Sequence, residues 1–190
     1  MATITNIFTI LLLIISSSFI PLISPHQFSS QRSKNNFGFG PRPTMTNLQF
    51  YFYDKPSLPK ATAIPIVTTP GFGFGTVVMI DDALLKTANK KSKVIGRAQG
   101  FYAMADQNTI GLLMVVNYVF TVGKYNGSSL SVLGRNPVVQ PVRELPILGG
   151  TGLFRLARGY ALASTKWLNL TTGDAIVEYN VTVLHYENDD

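Results

Sequence analysis

The chain has 190 residues, of which 46% are apolar and only 14% charged, with a net charge of +6 and no cysteine. The lack of cysteine excludes a disulfide scaffold, thiolate metal sites, iron–sulfur clusters and thiol nucleophiles. Charge this sparse makes a weak case for nucleic-acid binding despite the basic balance, and 16 glycines among many β-branched residues argue against a helix bundle.

From Met1 to Gln31 there is no Lys, Arg, Asp or Glu. Ile7 to Ile15 is almost wholly apolar, and Ser16, Ser17 and Ser18 follow. That pattern predicts a secretory signal over residues 1–24, with cleavage after Ser18 as one candidate. Pro21 and Pro25 oppose a continuous spanning helix, so no membrane span is expected in the mature form. Residues 25–46 are polar and read as a disordered arm, and residues 47–190 as one domain. The sequons at Asn126, Asn169 and Asn180 fit an exported glycoprotein, and each requires its Asn on the outer surface.

Beyond the arm, short apolar runs of period two alternate with Gly, Asn, Pro and Ser. They predict strands over Leu48–Tyr53, Thr62–Thr68, Gly75–Ile80, Lys93–Ala105, Ile110–Thr121, Ser129–Leu133, Leu153–Ala163 and Asp174–Tyr186. The last shows the logic: Ala175, Val177, Tyr179, Val181 and Val183 share one face, while Glu178, Asn180 and Thr182 share the other. Over Ile110–Thr121 the second face is also apolar, with Leu113, Val115 and Val119. Either another subunit or a loop would cover it. Asn126-Gly127 predicts a hairpin turn with positive φ at both residues. Gly149-Gly150-Thr151-Gly152 reads as a turn, and Gly71 to Gly75 as a flexible turn whose aromatics stand near a cavity mouth. About eight evenly spaced strands favour closure, giving an all-β, eight-stranded antiparallel barrel with a central ligand cavity.

The chemistry available is narrow. His26 falls in the arm and His185 in the last strand, so a catalytic triad or a metal site has only one histidine to draw on. His185 reads as structural, and no metal or cofactor is expected. Carboxylates, arginines and tyrosines remain, which suit proton transfer and phenolate stabilisation. Asp54 ends the aromatic strand that contains Phe52, and is either a half-buried acid or a turn cap. Asp81-Asp82 reads as a turn pair. Arg143 either points into the cavity or forms a surface ion pair with Glu144, and Tyr102 is a ligand donor or ordinary packing. Lys90-Lys91-Ser92-Lys93 is a solvated loop or an anchor to acidic wall polymers.

At FYFYD (50–54), IGRAQGFY (95–102), NYVFTVGKYNGSSLSVLGRNPV (117–138), VRELPILGGTGLFRLARGYALA (142–163) and GDAIVEYNVTVLHY (173–186) the chain resembles the plant dirigent proteins. The resemblance runs from about Leu48 to Tyr186. It implies an eight-stranded barrel, usually a trimer, secreted to the apoplast and cell wall. Such proteins do not oxidise their substrate; a laccase or peroxidase makes phenoxy radicals from coniferyl alcohol, and the barrel directs their coupling. Related members direct cyclisation of a quinone methide, as in pterocarpan formation. Carried over by position, the family's acid corresponds to Asp54, its aromatic to Tyr102 and its cavity arginine to Arg143. Asn136, Arg158 and Phe52 are substrate-binding candidates. Tyr53 stands where the family usually has His, and Arg135-Asn136 where pinoresinol-forming members carry Asp after Gly-Ala. Asn136 is no base, so pinoresinol-type cyclisation is not expected. The paired cysteines of those members are absent.

Three functions follow: guidance of monolignol radical coupling in lignan biosynthesis, an enzyme acting on an isoflavanol through a quinone methide, and a wall module that binds phenolics or glycans. The expected partners are a small phenolic, a laccase or peroxidase and further copies of the chain, with no nucleic acid.

Overall fold

The computed structural model describes residues 43–186. The signal-like segment, His26 and the last residues of the chain lie outside it. Nine strands form one antiparallel sheet: β1 (Pro43–Asp54), β2 (Ala63–Val67), β3 (Val77–Leu85), β4 (Val94–Met104), β5 (Gly111–Phe120), β6 (Ser129–Pro137), β7 (Arg143–Thr151), β8 (Arg158–Leu168) and β9 (Ala175–Tyr186). The order is β1-β9-β8-β7-β6-β5-β4-β3-β2, and β1 also pairs with β3. That pairing, Tyr51–Leu85 through Tyr53–Ala83, closes an eight-stranded barrel. Closure removes the exposed edges that a twisted antiparallel sheet would present. The short β2 lies outside the ring, paired with the other half of β3.

Strand β1 begins at Pro43, paired with Tyr186, so Pro43–Thr46 belong to the sheet and not to the arm that the sequence predicts there. The apolar side chains of Phe50, Leu112, Val132 and Tyr102 lie on alternate positions that face inward, as a half-buried strand requires. Across the barrel's middle, Phe50 stacks on Tyr179 at 5.6 Å between centroids, and Tyr118 meets both edge-on at 5.0 and 5.3 Å. Each such pair adds about 0.5–1.5 kcal/mol beyond its burial. At one end Phe120, Tyr125, Phe154 and His185 form a second cluster. The other end, where Asp54, Tyr102 and Arg143 lie, opens into the barrel interior.

Five local features differ from what the sequence predicts. Strand β7 is missing from the predicted set, and Gly149–Thr151, read as a turn, belong to it. Its residues Arg143, Leu145 and Ile147 alternate inward, but Pro146 has no N–H for the ladder. The β6–β7 pairing accordingly stops at Val132–Ile147. The Pro146 ring packs where a side chain on Gly134 would be, 2.7 Å from its Cβ position, so Gly134 is needed to seat it. Strand β8 begins at Arg158, later than expected, because Gly152–Phe154 form a 3₁₀ turn. The Asn126-Gly127 turn is of type II: Asn126 has φ −53° and ψ 131°, and only Gly127 has positive φ. Ser128 N–H closes it on the Tyr125 carbonyl at 2.9 Å. Asp81-Asp82 lie inside β3, not in a turn. Phe72 and Phe74 are exposed and line no part of the cavity described below.

Candidate functional site

The open end of the barrel holds a cavity of about 450 Å³. It is built where β1, β4, β6 and β8 end and where β5, β7 and β9 begin. Its polar groups are few: Asp54, Tyr102, Asn136, Arg143, Thr165 and Tyr179. Leu112, Met114, Val138, Leu168 and Val177 make the apolar wall. A mostly apolar chamber of this size with a few convergent polar groups is typical of a small-molecule site.

Asp54 is the last residue of β1. The β1–β3 pairing ends at Tyr53–Ala83, and Asp54 and Asp82 are the next residue on each strand, close enough for their carboxyls to interact. Asp82 is wholly buried, because it follows Val78 and Ile80 on the inner face. Its Oδ1 accepts the Thr62 hydroxyl proton, while its Oδ2 and the Asp54 Oδ1 are buried without a hydrogen-bond partner. Burial, and then the neighbouring Asp82 carboxylate, push the Asp54 carboxyl up to about 8, with the Tyr102 hydroxyl offsetting part of the rise. Burial also raises Asp82, to about 6, against the hydrogen bonds from Thr62 and the Lys55 backbone. Two carboxyls in one dry site share a proton rather than both ionising. At neutral pH the pair therefore carries an acid proton at the cavity wall. Burial and the same two carboxylates hold the Tyr102 phenol far above its usual range, so it stays a hydrogen-bond donor.

The segment after Asp54 is tied down over this pair. Lys55 Nζ donates to the carbonyls of Ser57 and Pro59 at 2.7 and 2.6 Å. Asp174, just before β9, accepts from the Ser57 amide and hydroxyl at 3.2 and 2.9 Å. The Lys55 backbone also hydrogen-bonds Asp82, so this segment is fixed beside the pair.

Arg143, the first residue of β7, is 3% exposed and lines the same cavity. Its Nε donates to Asn136 Oδ1 at 3.2 Å, and its Nη1 to Thr165 Oγ1 at 3.1 Å and the Gln140 carbonyl at 3.4 Å. Among the described residues no carboxylate pairs with it. Burial lowers its affinity for a proton, yet an arginine stays charged. A buried cation held only by neutral groups is suited to an oxygen that carries negative charge.

The family model for Dirigent-like protein matches residues 45–184. The chain belongs to the dirigent family. It is 48% identical to Dirigent protein 23 of Arabidopsis thaliana over 147 residues, which cover 74% of this chain and 78% of that protein. It is 40% identical to Pterocarpan synthase 1 of Glycyrrhiza echinata over 183 residues, covering 93% and 92%. Among solved structures, the pterocarpan synthase dirigent proteins GePTS1 and PsPTS1 superpose with TM-scores of 0.76 and 0.74 at 44% and 42% identity. Each alignment covers 79% of this chain, and 94% and 100% of the respective structures.

In this dirigent barrel Asp54, Tyr102, Arg143, Asn136 and Phe52 converge on one cavity. Arg158 does not join them. It is exposed at the start of β8, opposite Leu184, toward the other end. His185 also lies at that end, with Nε2 2.9 Å from the Thr46 hydroxyl and its ring against Phe154. Asn126 and Asn180 are exposed on the outside. Asn169 is half-exposed, and its Oδ1 accepts the Thr171 and Thr172 amides. Sequence reasoning missed Asp82 and Thr165. The signal for Asp82 was available, because Val78, Ile80, Asp82 and Leu84 keep period two through the acidic pair.

Proposed function

We propose that the chain holds one planar phenolic in the cavity and imposes the face at which its new bond forms. The observation that supports this best is one mostly apolar chamber lined both by the Asp54 carboxyl, whose Oδ1 is buried with no hydrogen-bond partner among the described residues, and by the Arg143 guanidinium, which has no counter-ion among them. The chemistry this arrangement suits is two-electron. In a phenol conjugated to a benzylic hydroxyl, Asp54 gives its proton to the hydroxyl, which leaves as water. The phenol's proton departs to solvent, and a neutral quinone methide remains. Arg143 stabilises negative charge on the phenolic oxygen as it develops. A second hydroxyl of the same molecule attacks the methide carbon and returns its proton to Asp54, while the first oxygen regains a proton from solvent. The balance is loss of one water with no oxidant. This is a pterocarpan-synthase-like cyclisation of an isoflavanol, in which the apolar wall presents one face of the methide.

The second reading is stereoselective coupling of phenoxy radicals from a monolignol such as coniferyl alcohol in lignan biosynthesis, with a laccase or peroxidase as the radical source. The apolar wall of Leu112, Met114 and Val177 favours it, since such a wall orients a radical without reacting with it. Either way, a preference of about 1.4 kcal/mol for one face gives a tenfold product ratio. Chiral chromatography decides between them. Turnover of an isoflavanol without oxidant supports the first reading. Enantiomeric excess from coniferyl alcohol only when laccase is present supports the second. Racemic coupling with no turnover contradicts both and leaves a wall phenolic- or glycan-binding module.

Export to the apoplast and assembly as a homotrimer belong to the same proposal. The signal-like start and three sequons support the first. A row of apolar side chains across the outer face supports assembly: Ile64, Met79, Phe101, Val115 and Leu133 are successive cross-strand partners. Ile64, Met79 and Leu133 in it are openly exposed.

A further inference from the structure

A second cavity, of about 360 Å³, lies away from the phenolic site. It forms where β1 runs on past the end of its pairing with β3, so Leu48, Gln49 and Phe50 have no strand beside them on that side. Its floor is Phe50, Phe120, Ile95 and the half-buried Tyr125, whose ring is stacked on Phe154 at 5.0 Å. Its rim carries Lys86 and Lys93. The two are held together at the base of the β3–β4 hairpin, where the Lys86 amide donates to the Lys93 carbonyl at 3.0 Å. Both are exposed, and neither has an ion-pair partner among the described residues. Lys90, in the same hairpin, is directed elsewhere, 3.6 Å from the Trp167 ring centroid.

Among the described residues no carboxylate lines this cavity. Glu178 meets its wall through Gln49, and its Oε2 is already paired with Lys166 at 2.9 Å. The adjacent turns add Lys124 and Arg155, and residues 86–95, 120–128 and 152–158 contain no Asp or Glu. The surface is thus of one sign around an aromatic, apolar floor. A pyranose chair presents a face of axial C–H groups that packs against aromatic side chains. A carboxylate on that ring would meet the paired ammonium groups.

We propose that this cavity binds a uronate-bearing acidic glycan, with one sugar ring over Phe120 and Tyr125 and its carboxylate between Lys86 and Lys93. The choice of a glycan over a nucleic acid rests on the export reading above, whereas the binding it predicts is independent of what the phenolic cavity does. Bound in this way, the barrel is anchored at one end, with its reactive cavity facing away from the polymer.

The test is isothermal titration of the secreted full chain with a galacturonate hexamer at low and at physiological salt. A cellohexaose and vesicles of phosphatidylcholine with phosphatidylserine serve as comparisons. Binding of the hexamer alone is expected, weakened about tenfold by Lys86→Gln with Lys93→Gln and weakened by salt. Lys60→Gln, at the other end, changes nothing. Circular dichroism of each variant separates loss of a site from loss of the fold. Equal affinity of the Lys86/Lys93 variant and the parent overturns the proposal. So does binding of the vesicles in preference to the glycan. Tight binding only after removal of residues 187–190, which include three acidic side chains, assigns the cavity to the chain's own terminus and overturns it as well.

Discussion

Asp54 and Asp82 are the next residues beyond the Tyr53–Ala83 pair at the seam that closes the barrel, and their carboxyls interact. Each carboxyl leaves one buried oxygen without a partner. The strand pairing that closes the fold therefore also brings the second carboxyl that keeps the first protonated. Asp82 does not line the cavity, so it acts through Asp54 as a positioning residue. Asp82→Asn removes the second negative charge and lowers the pKa of Asp54. The alkaline limb of the pH–rate profile should shift to lower pH by about one unit, with KM little changed. An unshifted limb would mean that the seam has no part in the acidity of Asp54.

The same pair makes stability depend on pH with a definite sign. Both folded pKa values lie above the value of about 4 expected for an unfolded carboxyl. Between that value and about 8 the folded chain holds more protons than the unfolded chain, so stability falls as pH rises through this window. Thermal melts should lose on the order of 5 °C between pH 5 and pH 9. Asp54→Asn, which cannot ionise, should flatten most of that loss. A melting temperature that rises over the window would refute the assignment.

Arg143 is held by Asn136 and Thr165. Arg143→Lys keeps the charge but loses the planar fork that both partners grip, and about a tenfold fall in kcat/KM is expected. Asn136→Asp is the sharper test. It places a carboxylate at hydrogen-bond distance from the guanidinium, so the cation is neutralised before substrate arrives. Steady-state kinetics should show about a tenfold lower kcat for the phenolic. If that variant works as well as the parent, Arg143 does not stabilise charge on the substrate.

Much of this was legible in the chain because period two survives wherever strands are half-buried. The alternation from Ala175 to Val183 marks the inner face of β9 as the structure has it, and Asp54, Tyr102 and Arg143 reach one cavity. The failures have local physical causes. In β7 an inward arginine opens the strand, and Pro146, Gly149 and Gly150 lie within it, so three residues that normally weaken strands hide one. Asp82 was lost because adjacent acids look solvated, and only the closure of β1 onto β3 buries one of them. Arg158 failed because a familiar motif position was carried over where the 3₁₀ turn at Gly152–Phe154 sets the start of β8.

The outer apolar row gives a test of assembly that leaves the cavity untouched. Met79 and Leu133 both lie outside the barrel wall and line no part of the site. Met79→Lys with Leu133→Lys should convert the assembly to monomer by light scattering after size exclusion, with the fold retained by circular dichroism. A parent that is itself monomeric would refute the assembly proposal.

Whether Asp54 supplies the proton is read from single-turnover kinetics of an isoflavanol without oxidant. The parent should turn over, with a rate that falls on the alkaline side near pH 8. Asp54→Asn should bind the substrate equally well by titration and lose about 10²–10⁴ in rate. A variant that keeps the parent's rate and pH profile would contradict the account.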